Sequence, residues 1–187
     1  SAAASDATTK ANAALNSAKG YADDAVDNIA VGGRNLFGFH KGIYTDIDKT
    51  NGTNAMDSSI NGLKIVCGTT LSNAIIYRIR NLGFNNIGGN YTFSANIRAT
   101  NNVTLKLAIC DAGNVGVQVT NTSKKVVFTA KVIAYYASTN GNYNGFFDVE
   151  ALSVVPQGTI IYIENLKIER GNKPTDWTPA PEDIDAA

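Results

Sequence analysis

The sequence predicts an all-β antiparallel β-sandwich of the jelly-roll kind, with an α-helical segment in front of it. Three observations predict this. Residues 2–30 are rich in alanine, lack proline and repeat their apolar positions at a 4-3 spacing. From Arg34 onward, short runs with period-2 alternation are separated by clusters of Asn, Gly, Thr and Ser. No segment of helical period interrupts that series, which distinguishes an all-β domain from an α/β one.

In the helical segment, Ala4, Thr8, Ala11, Leu15, Ala18, Ala22, Ala25 and Ile29 form one seam, while Asn12, Asn16, Lys19, Asp23, Asp24 and Asp27 fall outside it. This is a heptad pattern over about three and a half repeats, and it predicts a coiled-coil stalk through residues 1–31. The seam permits close packing without choosing between two chains and three. A helix this short with a small alanine seam is marginal alone. The competing expectation is a single amphipathic helix lying on the following domain. Gly32-Gly33 provide the stop and hinge.

The sandwich is expected over residues 32–183, with 184–187 as a tail. The predicted strands are Gly62–Thr69, Ala74–Arg80, Tyr91–Ala99, Val103–Cys110, Gly116–Val119, Lys125–Ala134, Gly145–Ala151 and Thr159–Glu169. Alternation assigns their faces. Tyr91, Phe93, Ala95 and Ile97 point inward, as do Val103, Leu105, Leu107 and Ile109, and Ile75, Tyr77 and Ile79. The opposite side carries Arg78, Arg80, Asn96, Arg98 and Lys106, expected to form one polar sheet face with the Arg78 and Arg98 heads in solvent, bordered by Tyr135, Tyr136 and Tyr143; these are long donors of the type that bond sugar hydroxyls. Arg would also grip the phosphates of an anionic polysaccharide in bidentate fashion. Tyr135, Tyr136 and Tyr143 flank the loop Ser138–Asn144, where they would either stack on a glycan or anchor the loop. A polar outer face is also what any sandwich presents to water.

Composition excludes several functions. The chain has 187 residues, with 16 basic and 16 acidic side chains and zero formal charge. Without a Lys/Arg run, it lacks the electrostatic footprint of nucleic-acid binding. No apolar run approaches the ~20 residues that span a bilayer, so membrane insertion is not expected, and a surface location would come from assembly with other proteins. Cys67 and Cys110 lie in apolar runs and are expected to be buried free thiols, with a disulfide between neighbouring strands as the alternative. No Cys/His cluster suggests zinc. His40 is the one histidine, and no nucleophile-elbow pattern accompanies it. Asp148 and Glu150 share a strand face, whereas glycosidase carboxylates flank a bond from two sides. Catalysis is therefore not expected. Asp46, Asp48, Asn51, Asn54 and Asp57 crowd one predicted loop, but Gly52 falls one place late for an EF-hand. A structural calcium on Asp46, Asp48 and Asp57 is the one metal candidate, and no other cofactor is expected.

Two stretches carry a sharper signal. They are Gly32-Gly33-Arg34-Asn35-Leu36-Phe37 and the run from Asn165-Leu166-Lys167-Ile168-Glu169 through Pro174-Thr175-Asp176-Trp177-Thr178-Pro179 to Asp183. Together they resemble the start and end of jelly-roll, carbohydrate-binding-module-like domains of tail-tip, baseplate and receptor-binding proteins in phages and prophages of Gram-positive bacteria. The helix with Tyr21-Ala22-Asp23-Asp24-Ala25 is similar to the stalks that precede such domains. The resemblance implies a homotrimer through the helix, location in the virion tail, other tail proteins as neighbours, and a host surface or cell-wall saccharide as ligand. A ligand-free spacer of a tail fibre, or an accessory module of a cell-wall hydrolase, would share the fold. Structurally, a first strand Arg34–Phe39 and the last strand Ile160–Glu169 are expected to lie side by side and close the sandwich, with Trp177 folded back across that seam, fixed by Pro174 and Pro179.

Overall fold

The computed structural model describes residues 2–28, 33–37, 47–48, 51–80, 82, 89–110, 112–132 and 145–180. Helix α1 spans Ala2–Asn28. Alanine loses almost no side-chain entropy in a helix, so the segment is locally well suited to this form. Residues 5–22 are exposed throughout. Leu15 is 66% and Tyr21 79% exposed. A helix lying along the domain, the competing expectation, does not occur over those residues.

Ten described strands build two five-stranded antiparallel sheets. Sheet A runs β1 (Ile47–Asp48), β4 (Ala74–Arg80), β9 (Phe146–Ala151), β6 (Val103–Ile109), β7 (Gly113–Val119). Sheet B runs β2 (Gly52–Asp57), β3 (Gly62–Cys67), β10 (Ile160–Arg170), β5 (Gly89–Ala99), β8 (Lys124–Val132). Inward residues of both sheets interdigitate. Phe128 stacks on Phe93 at 5.0 Å, and Phe93 stacks on Phe147 of the opposite sheet at 5.1 Å, so one aromatic column crosses the core. Cys67 and Cys110 are buried thiols, as expected.

The eight alternating runs form strands, Ala74–Arg80 with the expected bounds and the others with shifted ends, whereas residues 34–37 of the expected first strand do not form one; residues 38–39 and 133–134 lie outside the described residues. Two more were not predicted. Gly52–Asp57, expected to be a loop, is an edge strand on β3, with Thr53 opposite Val66 and Ala55 opposite Lys64. Its Asn, Gly and Asp have low strand propensity, and it forms because β3 provides a pairing edge. The face assignment of β4 also changes. A register shift between Ile75 and Tyr77 buries both Ile76 and Tyr77, because a bulge interrupts period 2.

A second irregularity organises one end of sheet B. Strand β10 pairs with β3 only through Ile160–Ile163 and then breaks register at Glu164/Lys167, where Asn165 has φ 49°. Asparagine tolerates this left-handed backbone better than most residues. Beyond the break, residues 33–37 take the place of β3 beside β10. The Leu36 N–H donates to the Ile168 carbonyl at 2.7 Å, as the expected pairing of first and last segments requires. Asn35 is fully buried and forms the hub of this junction. Its Oδ1 accepts from the N–H groups of Phe37 (3.0 Å) and Ile168 (3.2 Å). Its Nδ2 donates to the carbonyls of Leu166 (3.0 Å) and Thr178 (3.3 Å). Trp177 is half-buried at the same seam, its Nε1–H reaching the Leu166 carbonyl at 3.4 Å.

Candidate functional site

The outer face of sheet B is partly closed by the segments that flank the sandwich, residues 33–37 and 171–180. Lys167 and Glu169 project from the β10 face opposite the core residues Leu166 and Ile168, yet they are 1% and 0% exposed. Lys167 Nζ meets Thr175 Oγ1 at 2.6 Å, the Asp176 carbonyl at 2.8 Å and Glu169 Oε2 at 3.3 Å. Glu169 accepts from the Thr175 N–H (2.8 Å), the Thr175 hydroxyl (2.6 Å) and the Gly33 N–H (3.2 Å). A buried ion pair is tolerable only when its remaining donors and acceptors are satisfied, and here they are. Gly33 is required at its position: a Cβ there would stand 2.6 Å from Glu169 Cβ. The same covering segment buries Thr92, whose hydroxyl donates to the Gly171 carbonyl at 2.8 Å. The two stretches that carried the sequence resemblance thus form a latch between the flanking segments and sheet B.

The predicted ligand-binding residues do not share one face. Arg78, Arg80 and Lys106 lie on the outer side of sheet A, whereas Asn96 and Arg98 lie on the outer side of sheet B. Period 2 tells which residues turn from the core but not which sheet holds them, and the chain changes sheets between β5 and β6. Their charged heads are also not free in water. Arg78 grips Asp148 in a bidentate pair, Nε–Oδ1 2.6 Å and Nη2–Oδ2 2.5 Å, and lies over the Phe146 ring at 4.7 Å. Lys106 Nζ meets both Glu150 oxygens at 3.0 Å. Arg98 bonds Glu164 at 2.9 Å and covers the Tyr162 ring at 3.7 Å. Strand register explains these contacts, since Asp148 stands opposite Arg78, Glu150 opposite Lys106, and Arg98 opposite Tyr162. Asp148 and Glu150 are therefore partners of cations.

On sheet A the two pairs occupy successive outward rows, linked by Asp148 and Glu150 on central strand β9. Asp148 is fully buried, while Arg78, Lys106 and Glu150 keep part of their surface in solvent. With Asp148 buried beneath Arg78, the strip offers the Arg78 and Lys106 donors and the Glu150 acceptor and is close to neutral, which suits hydroxyl groups better than phosphate. Beside it, the exposed edge strand β7 presents Asn114, Gly116 and Gln118, and Leu152 is 43% exposed. Sequence reasoning named the cations but missed their carboxylate partners. Opposite charges in like alternation phase on separate strands were the available signal.

Tyr135, Tyr136, Tyr143 and His40 lie outside the described residues, as do Asp46 and Ile29. The calcium expectation does not gather into one loop. Asp48 belongs to β1 in sheet A and Asp57 to β2 in sheet B. The Ser59 hydroxyl and N–H donate to Asp57 Oδ1 at 2.5 and 3.0 Å, and they hold its carboxyl below the usual range. Among the described residues, no cluster of three His, Cys, Asp or Glu side chains is placed to hold a metal. No described helix is long and apolar enough to cross a membrane.

No family model matches the chain, and the comparison with curated proteins finds no match. Its neighbours among solved structures are carbohydrate-binding modules. The N-terminal cellulose-binding domain of Cellulomonas fimi β-1,4-glucanase C is 14% identical over 63% of this chain and 84% of that one, with TM-score 0.47. TmCBM61 in complex with β-1,4-galactotriose is 14% identical over 73% and 99%, with TM-score 0.44. A family 29 module complexed with mannohexaose is 12% identical over 75% and 89%, with TM-score 0.39.

Proposed function

We propose that the chain is a non-catalytic saccharide-binding module of a phage tail or adhesion protein, with its ligand on the outer face of sheet A. The observation that carries this reading is the strip of two adjacent cross-strand ion pairs, Arg78–Asp148 and Lys106–Glu150. Its pre-oriented donors and acceptors match vicinal hydroxyls. The latch supports the choice of sheet: residues 33–37 and 171–180 are fastened at sheet B, which leaves sheet A turned away from both attachments. With the cations already paired, the ligand is an uncharged part of a cell-surface polysaccharide, not a phosphate-rich one.

The helix provides multiple copies in this reading. Its exposed seam, including Ala11, Leu15, Ala18 and Ala22, has no partner within the described chain, and two further copies would cover it. Single sugar sites are weak, and linking three raises avidity by ~10²–10⁴. Ala4, Ala25 and Ile29 complete the proposed seam.

The test is retention on polysaccharide fractions from Gram-positive cell walls and on neutral glucans, galactans and mannans. Replacing one pair as Arg78→Met with Asp148→Leu removes half of the polar strip without stranding a buried charge. The reading requires wild-type retention, its loss in the double variant, and retention nearly constant between low and physiological salt. Equal retention of wild type and variant would leave the module a spacer. Light scattering of Leu15→Asp against the wild-type chain tests the trimer.

A further inference from the structure

The geometry points to a sugar-ring subsite on the shelf around Gly116, floored by that glycine and walled by Leu152 and the Lys106–Glu150 pair. The inference rests on sheet A as the saccharide face and assigns a position within it.

The glycines of this fold differ in why they are glycine. Among the strand glycines, Gly62 would put a Cβ 1.7 Å from the Ile163 carbonyl oxygen, and Gly113 would put one 2.6 Å from Ala130 Cα. Gly89 has φ +146°, which disfavours other residues. Gly116 has none of these reasons. It sits mid-strand in β7, exposed, with a backbone that any residue adopts, and among the described residues an added Cβ would meet only Leu152 Cδ1 at 3.5 Å. A glycine weakens a strand, and a β-branched residue would be favoured at such a position. The described residues therefore give no reason for the missing side chain. A group approaching from outside does.

What surrounds the gap defines that group. Gly116 is opposite Lys106, and Lys106 opposite Glu150, so the shelf continues the polar row. Asn114 and Gln118 stand two residues to either side on the same outward face, both exposed. Leu152 leans in as an apolar wall, exposed despite its size. Amide and charged groups at the rim, a bare backbone floor and one aliphatic wall fit a hydroxylated ring. Its C–H face lies on Gly116 and Leu152, and its hydroxyls reach the rim.

Gly116→Val tests this, because it fills the shelf while suiting the strand. The probe is whichever polysaccharide fraction retards wild type most in affinity electrophoresis. The expected result is at least tenfold weaker binding with a melting temperature equal to or above wild type, and several-fold weaker binding in Leu152→Ala. If Gly116→Val binds as wild type while Arg78→Met/Asp148→Leu does not, the subsite is refuted and the sheet A reading stands. If neither variant changes binding, or if wild type binds no fraction, both fall. A change of oligomeric state in Gly116→Val with binding intact would mean the glycine admits another copy, which also overturns the subsite.

Discussion

Asn35 offers the sharpest test of how the flanking segments are held. Its side chain is fully buried and makes four hydrogen bonds, two as acceptor and two as donor, so its capacity is saturated. Asn35→Ala leaves the Phe37 and Ile168 N–H groups without that acceptor. Each buried orphan costs about 1–3 kcal/mol, and each lost bond otherwise contributes about 0.5–1.5 kcal/mol. The Leu166 carbonyl keeps Trp177 as a donor, so the expected loss is about 3–5 kcal/mol, a large share of a typical ~5–15 kcal/mol domain stability. Asn35→Asp separates the two halves of the hub. It keeps both acceptor bonds but sets a carboxylate oxygen against the Leu166 and Thr178 carbonyls. That carboxyl is expected to have a pKa raised by burial and by the carbonyls, so stability falls as pH climbs from the unfolded value through the folded one. Urea unfolding followed by fluorescence of Trp177, the single tryptophan, reads the seam itself. A loss below about 1 kcal/mol for Asn35→Ala, or an Asp variant no less stable at pH 7 than at pH 4.5, would refute the hub.

Gly33→Ala should push Glu169 aside and weaken the latch, visible as earlier hydrogen exchange at Thr175 and Gly33's neighbours, with the sandwich core unchanged. Trp177→Ala should cost about 1–3 kcal/mol, less than the truncation of a fully buried tryptophan, because the ring is half-exposed; an unchanged unfolding midpoint with lost saccharide binding would make it a ligand platform instead. Burial pushes the Cys67 thiol up to about 11 from 9.0. Iodoacetamide at pH 8 should therefore leave it unlabelled until the protein unfolds, and because the unfolded chain releases this proton first, stability should fall between about pH 9 and 11.

The strands were legible because burial of one face imposes period 2, and the inward residues of β5 and β6 obey it without exception. What the alternation could not carry was partnership. Strand β6 follows β5 in sequence but pairs with β7 and β9 in the opposite sheet, so Arg98 and Lys106 lie back to back across the core. The edge strand β2 escaped notice because its polar residues form a strand only in the presence of β3. The bulge in β4 was equally silent, since Ile75, Ile76 and Tyr77 are all apolar and fit either phase.

The same limit explains what happened to the site. Reading outward cations as free donors treats each strand as if water were its only neighbour. In an antiparallel sheet, however, every outward residue has a cross-strand partner at roughly 4.5–5.5 Å between Cβ atoms. A half-buried cation in that position needs an acceptor, and Asp148, Glu150 and Glu164 provide it. The consequence is chemical. A row of unpaired arginines would select for anions and respond to salt, whereas these closed pairs present fixed donors and acceptors of nearly balanced charge. Under the proposed function such a surface would discriminate by hydroxyl geometry, and for that reason the shape of the shelf at Gly116 should matter more to the ligand than the number of positive charges around it.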